Sequence, residues 1–248
     1  MRNRRALTSF WCVVLLVLGH GFCSPAAAAD CTVPADLLDV SARLQHVAQR
    51  LHSRRPLTIV AMGGASTLGA AAGSPDLAYP QRLQLALRAL FPNVPVTVLN
   101  RGVPRQSADQ MLQRFPTDVL AADPALVVWE VGIVDAVRGI GVDAFATALQ
   151  TGVDEIVRRP MDIMLMDMQF SAKANAMIDF GRYLDAVHRI GDVNEVYVFP
   201  RYEMMRYWSE QHMFNLDEVA ERERAPLAAN VYECIGQKVA EAIRTAVQ

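Results

Sequence analysis

The feature that most constrains this chain is the stretch 58–69, Thr-Ile-Val-Ala-Met-Gly-Gly-Ala-Ser-Thr-Leu-Gly. Its apolar run (Ile59, Val60, Ala61, Met62) is too short for a helix and suits a strand covered on both faces. It stops at a glycine pair. Gly63 and Gly64 let the backbone turn sharply and approach other groups closely. A buried parallel strand of an α/β protein ends in this way, and ligands bind in the crevice outside such strand ends.

The rest of the chain repeats the pattern. Helical spacing runs over 34–54, followed by the strand 57–62 and a small-residue loop, 63–77. Pro80 opens a helix at a position where proline is tolerated. A strand over 94–99 ends at Asn100-Arg101-Gly102. Ser107 is placed to cap a helix reaching residue 120. A strand over 125–131 ends at Gly132, and Asp143 is placed to cap a helix through 156. A strand follows at 161–168, a helix at 172–190, a short strand at 196–199, a short helix at 202–208 and a last helix at 227–247. This alternation predicts an α/β fold, a flavodoxin-like three-layer α/β/α sandwich with a five-stranded parallel sheet. The glycine turns should converge on one rim. Gly63, Gly64, Ala65, Ser66, Gly102, Gly132 and Asp135 are its candidate ligand-binding residues.

The first 29 residues read as an export signal rather than as fold. Arg2, Arg4 and Arg5 precede an apolar run at 11–18, and Ala27-Ala28-Ala29 offers a cleavage site. The run is too short to span a bilayer, which takes about 20 residues. Gly21-Phe22 before Cys23 is a poor match to a lipoprotein signal. The expected product is residues 30–248, a single domain that is periplasmic or secreted. With Lys+Arg 24 against Asp+Glu 26 and no basic run past the signal, nothing points to nucleic acid. Cys12 and Cys23 leave with the signal. Cys31 and Cys234 remain, either as one disulfide or as two separate buried thiols. Met161, Met164, Met166 and Met168 lie on one strand. They suit a soft metal or, as the preferred reading, a core apolar on both faces. No metal or cofactor is expected.

The order of the turns resembles the SGNH hydrolases, also called the GDSL esterase/lipase family. Its first block, Gly-Asp-Ser-x-Thr-x-Gly after a strand, compares with Gly63-Gly64-Ala65-Ser66-Thr67-Leu68-Gly69. Its second, a glycine after the next strand, compares with Asn100-Arg101-Gly102-Val103. Its third, Gly-x-Asn-Asp, compares with Gly132-Ile133-Val134-Asp135. Tyr79-Pro80 and Leu165-Met166-Asp167-Met168-Gln169 extend the likeness. The resemblance implies an ester hydrolase in which a serine attacks, a His takes the proton, an Asp orients it, and N–H donors hold the oxyanion.

Most of those positions are substituted. Ala65 stands at the nucleophile, Gly64 at the family's Asp and Val134 at the oxyanion Asn. Glu223 and Pro226 fall nearest the last Asp and His. Only Gly102 keeps the family identity. The first reading is therefore a degenerate relative that binds an ester-bearing or sugar-like ligand, or an envelope protein partner, without hydrolysis. The alternative is an active esterase with a relocated serine such as Ser66, whose plainer role is a loop or cap hydroxyl. His46, His52 and His188 read as solvated helix residues. His212 alone lies near the expected last block. Asp135 is expected to face the pocket or cap the next short helix, Glu130 to reach the rim or to pair with an arginine such as Arg101 or Arg105, and Asp167 to cap or pair.

Overall fold

The computed structural model describes residues 30–40, 42–214 and 218–248. The expected export signal, residues 1–29, lies outside them. The strands are β1 (Leu57–Gly63), β2 (Val96–Gly102), β3 (Leu126–Glu130), β4 (Asp162–Met166) and β5 (Val198–Phe199). They pair in the order β2-β1-β3-β4-β5, all parallel. This is the flavodoxin-like order. The helices are α1 (Gln45–His52), α2 (Ala65–Leu68), α3 (Tyr79–Leu90), α4 (Ala108–Leu112), α5 (Ile133–Val137), α6 (Val142–Val157), α7 (Ala172–Asn175), α8 (Gly181–Val193), α9 (Arg201–Glu210) and α10 (Glu221–Ala246).

Successive strand residues point to opposite faces, and the core divides accordingly. Ile59 and Ala61 of β1 pack with Leu83 and Leu87 of α3 and with Ile235 and Val239 of α10. Val60 and Met62 pack on the other side with Met111 of α4, Leu149 and Val153 of α6 and Val187 of α8. Both faces of the sheet are covered, which is why β1 and β3 read as unbroken apolar runs. The methionines take part in the same division. Met164 and Met166 lie in the first core, Met161 and Met168 in the second.

Several helix limits differ from the sequence expectation, and each difference has a local cause. The helix expected over 34–54 is a 3-10 turn (Ala35–Leu38) followed by α1. The start of α1 is held from outside: Asp162 on β4 accepts from Val47 N at 2.9 Å. Leu44 N donates to Ala246 O at 3.1 Å. The helix expected from 107 to 120 is divided: α4 ends at Leu112, and a wider π turn (Phe115–Val119) and a 3-10 turn (Leu120–Ala122) follow around Pro116, which has no N–H to donate. The stretch 172–190 divides into α7 and α8 around the buried Phe180. Asp143 sits in the first turn of α6 without capping it. Part of the expected loop 63–77 is helical, as α2 and two 3-10 turns. The last helix begins at Glu221 and carries Pro226 inside it.

Cys31 and Cys234 form a disulfide with Cα atoms 5.1 Å apart and 203 residues between them in sequence. It ties the start of the described chain to α10. Beside it, Trp208 Nε1 on α9 donates to Thr32 O at 2.9 Å. In the chain-entropy account, closing so long a loop stabilises the fold by about 5 kcal/mol, mainly by restricting the unfolded chain. The Cys31→Ala/Cys234→Ala protein should therefore melt roughly 10–20 °C lower. Calorimetry with and without reductant checks this. An unchanged Tm would contradict a formed bridge.

Candidate functional site

The rim lies at the carboxyl ends of β1, β2 and β3. The β1–β2 register pairs Gly63 with Gly102, which brings the first two glycine turns side by side. β1 also lies against β3, and that junction is where the strand order reverses. It is the usual ligand crevice of such sheets. Here α2 packs straight onto it. A Cβ on Gly63 would lie 2.1 Å from Thr67 Oγ1 and 2.8 Å from Glu130 Oε2, and one on Gly102 would lie 2.2 Å from Leu68 N. Both glycines are required by this close approach.

A buried polar network occupies the crevice. Glu130 at the end of β3 is 2% exposed, and Arg201 at the start of α9 is 1% exposed. Arg201 Nη1 donates to Glu130 Oε1 at 3.0 Å. The other carboxylate oxygen accepts from Thr67 N at 3.2 Å and from the Thr67 hydroxyl. Arg201 Nη2 donates to Ser66 Oγ at 2.5 Å and to Gln169 Oε1 at 3.4 Å. Tyr232 on α10 adjoins Ser66. Burial is the main reason its phenol is raised above its usual pKa, so it stays protonated. Glu130 thus reaches the rim and pairs with an arginine as expected, but with Arg201 rather than Arg101 or Arg105. Arg101 lies in β2 and Arg105 follows it, and β1 stands between β2 and β3.

This arrangement bears directly on the chemistry. Ala65 is the exposed first residue of α2, after Gly64 at its N-cap, and has no nucleophilic atom. Ser66 is buried rather than presented at the turn. Its partner Arg201 is a donor that cannot take a proton, so it cannot serve as general base. Ser66 neither caps a helix nor sits in an open loop. The oxyanion positions are equally committed. The Gly102 N–H donates to Asn100 Oδ1 at 2.9 Å, while Asn100 Nδ2 donates to Thr67 O at 2.8 Å. Val134 is a half-buried apolar residue of α5, whose N-cap is Gly132.

Other candidates are drawn away from the rim. Asp135 is 1% exposed, and both its oxygens accept from Ala108 N, at 3.2 Å each. It holds the start of α4, where Ser107 and Gln110 form a capping box. It therefore serves a distant helix, neither the crevice nor the helix that carries it. Burial raises its pKa. Glu223 and Pro226 are exposed residues inside α10, because the helix begins earlier than expected. His46 and His52 lie on α1, and the exposed His212 follows α9.

His188 lies on the exposed side of α8 as expected, with 46% of its side chain exposed, and it also reaches a buried partner. Its Nε2 lies 3.2 Å from Asp167 Oδ2, although the two are 21 residues apart in sequence. Asp167 Oδ1 accepts from Tyr202 N at 2.8 Å and so holds the start of α9. Asp167 both pairs and caps. Its hydrogen bond raises the His188 pKa, against the opposing effect of burial. Burial in turn raises that of Asp167.

A cavity of about 240 Å³ opens beside the network, between α9 and α10. Arg201, Gln169 and Tyr232 line it, with Met205, Trp208 and Phe214. None of Gly63, Ala65, Gly102 or Gly132 does. Among the described residues no group of three or more His, Cys, Asp or Glu is placed to hold a metal ion. Sequence reasoning missed Arg201 and Tyr232, and read Asn100 only as part of the turn that ends β2. Arg201 left a signal, a charge directly after the short apolar strand and Pro200.

Two outcomes follow from this geometry. Arg201→Met should cost about 3–5 kcal/mol, because Glu130 is left buried and uncompensated. Adding Glu130→Gln should recover part of that loss, since the two sites are coupled. Denaturant titration of the single and double variants checks this, and additive losses would contradict the pairing. For His188 the folded pKa is raised, so its stabilisation is full below the unfolded value, about 6.5. It fades as pH rises through the folded value. His188→Gln should therefore lower Tm more at pH 5.5 than at pH 9. A pH-independent difference would contradict the charge-assisted contact.

The architecture has solved counterparts. A lipase/acylhydrolase from Enterococcus faecalis superposes with a TM-score of 0.63 at 20% identity, over 76% of this chain and 96% of that one. An acetylxylan esterase from Geobacillus stearothermophilus, as a catalytic mutant, gives a TM-score of 0.60 at 18% identity, over 77% and 94%. An SGNH-hydrolase-family esterase gives 0.53 at 22% identity, over 66% and 86%. The fold is that of the SGNH/GDSL hydrolases. No curated protein matches the chain in sequence. The model of the Non-GDSL lipase-like family matches residues 30–248, so the chain belongs to that family.

Proposed function

We propose that this protein is an exported, non-hydrolytic relative of the SGNH esterases that acts by binding a ligand. One observation carries the reading. The serine nearest the family's nucleophile position is buried against Arg201, while the position itself holds Ala65. The committed Gly102 N–H and the apolar Val134 support it. The solved counterparts include an acetylxylan esterase and an acylhydrolase, which favours an ester-bearing or sugar-like ligand over an unrelated one. An envelope protein partner is the second occupant to test. Export rests on the leader-like residues 1–29 and on the disulfide, a bond that persists in oxidising compartments. Among the described residues no helix is long and apolar enough to cross a membrane.

The mature protein should hydrolyse p-nitrophenyl acetate and acetylated sugars no faster than its Ser66→Ala variant. Activity lost in that variant would overturn the reading in favour of a relocated serine. Ala65→Ser alone should also remain inactive. A serine without its base loses about a millionfold in rate, and each missing oxyanion donor a further 10²–10³ or so. Turnover by Ala65→Ser would mean that the base and oxyanion donors are in place after all.

A further inference from the structure

The cavity between α9 and α10 is not used by any of the roles above, and its walls are of two kinds. Phe170, Met205, Trp208, Phe214, Ala228 and Val231 give it an apolar side. Arg201, Gln169 and Tyr232 give it a polar corner. Its volume of about 240 Å³ is below the roughly 300–1,000 Å³ typical of drug-sized ligands, so it suits something smaller.

The charge state of the corner selects the guest. Arg201 is the cation at the cavity, and Glu130 already neutralises it at 3.0 Å. An anion entering here would be desolvated beside a guanidinium whose charge is spent on Glu130. A cation would meet Arg201 directly. Burying either charge unpaired costs far more than burying a neutral polar group that finds a hydrogen bond. The corner is rich in donors. Arg201 Nε is buried and has no acceptor among the described residues. The Gln169 side-chain oxygen is turned to Arg201, leaving its amide nitrogen as the donor end. Tyr232 remains a neutral phenol. These donors favour a guest that brings an uncharged acceptor, and the Ser171 and Ser209 hydroxyls line the same cavity.

We propose that this cavity is a binding site for a small uncharged amphipathic molecule. Its apolar body packs against Met205, Trp208 and Phe214, and its carbonyl or hydroxyl oxygen is held by the Gln169, Tyr232 and Arg201 corner. The site is set apart from the family's reaction centre, since Ala65, Gly102 and Val134 do not line it. The inference deepens the non-hydrolytic binding reading and rests on it for the idea that binding is the function.

The test is an NMR titration of the mature protein labelled at its methionine methyl groups. Met205→Leu assigns the Met205 signal. The probes are hexanamide, hexanoate and hexylammonium, which share a body and differ in head-group charge. Hexanamide should shift the Met205 methyl saturably. The two ions should bind weaker by about tenfold or more, because each carries an unpaired charge into the site. Ser209→Phe, which places a ring at a half-buried wall position, should abolish the shift while leaving Tm close to that of the parent. No saturable shift with hexanamide, or hexanoate binding as tightly, would overturn the proposal. Neither result depends on ester hydrolysis. An active esterase would therefore defeat the functional reading without deciding the cavity, and an empty cavity would leave the absence of hydrolysis intact.

Discussion

The ion pair between Arg201 and Glu130 is the contact on which the strand-end rim depends. It joins the end of β3 to the start of α9, and through Ser66 and Thr67 it fixes α2 onto β1. Two ions at 1% and 2% exposure are costly to take out of water. Their mutual attraction offsets that cost only when the remaining hydrogen-bonding positions are also filled. Here both Glu130 oxygens are occupied, and Arg201 makes three hydrogen bonds through Nη1 and Nη2, while its Nε has no partner among the described residues. The pair is thus a means of fixing geometry more than a source of net stability, and removal of one partner does more harm than removal of both.

The position of that pair supports the non-hydrolytic reading proposed for this SGNH-type fold. Parallel α/β sheets leave a crevice where the strand order reverses, here between β1 and β3. In this chain the crevice is occupied by Glu130 and its donors. The Gly102 amide is turned to Asn100, and the serine hydroxyl to a guanidinium. Each of these groups is satisfied by a neighbour within the protein, so none is held ready for a substrate. The space that remains lies to one side, between α9 and α10, with apolar walls and a neutralised cation at one corner.

The layered architecture was legible in the chain because it rests on local pattern. Short apolar runs ended by glycine marked β1, β2 and β3, and the helical spacing between them marked the crossovers. The substituted positions Ala65 and Val134 were legible from motif register alone. What could not be read were contacts made across the fold. Asp162 holding α1, Asp135 holding α4 and Asp167 holding both α9 and His188 bring together residues 115, 27, 35 and 21 apart. No local spacing encodes such partners. The disulfide was legible only as one of two options, until its Cα separation of 5.1 Å was seen. The limits of α10 were missed because Pro226, which normally marks a boundary, is carried inside the helix.

The central claim is that Ser66 is a structural hydroxyl and that the chain carries no activated serine. The most direct measurement is the intact mass of the mature protein after incubation with excess serine-directed fluorophosphonate, followed by peptide mapping. The account predicts an unchanged mass. A single stoichiometric adduct mapped to Ser66 would contradict it, because only a hydroxyl activated by a base and open to the rim reacts in that way.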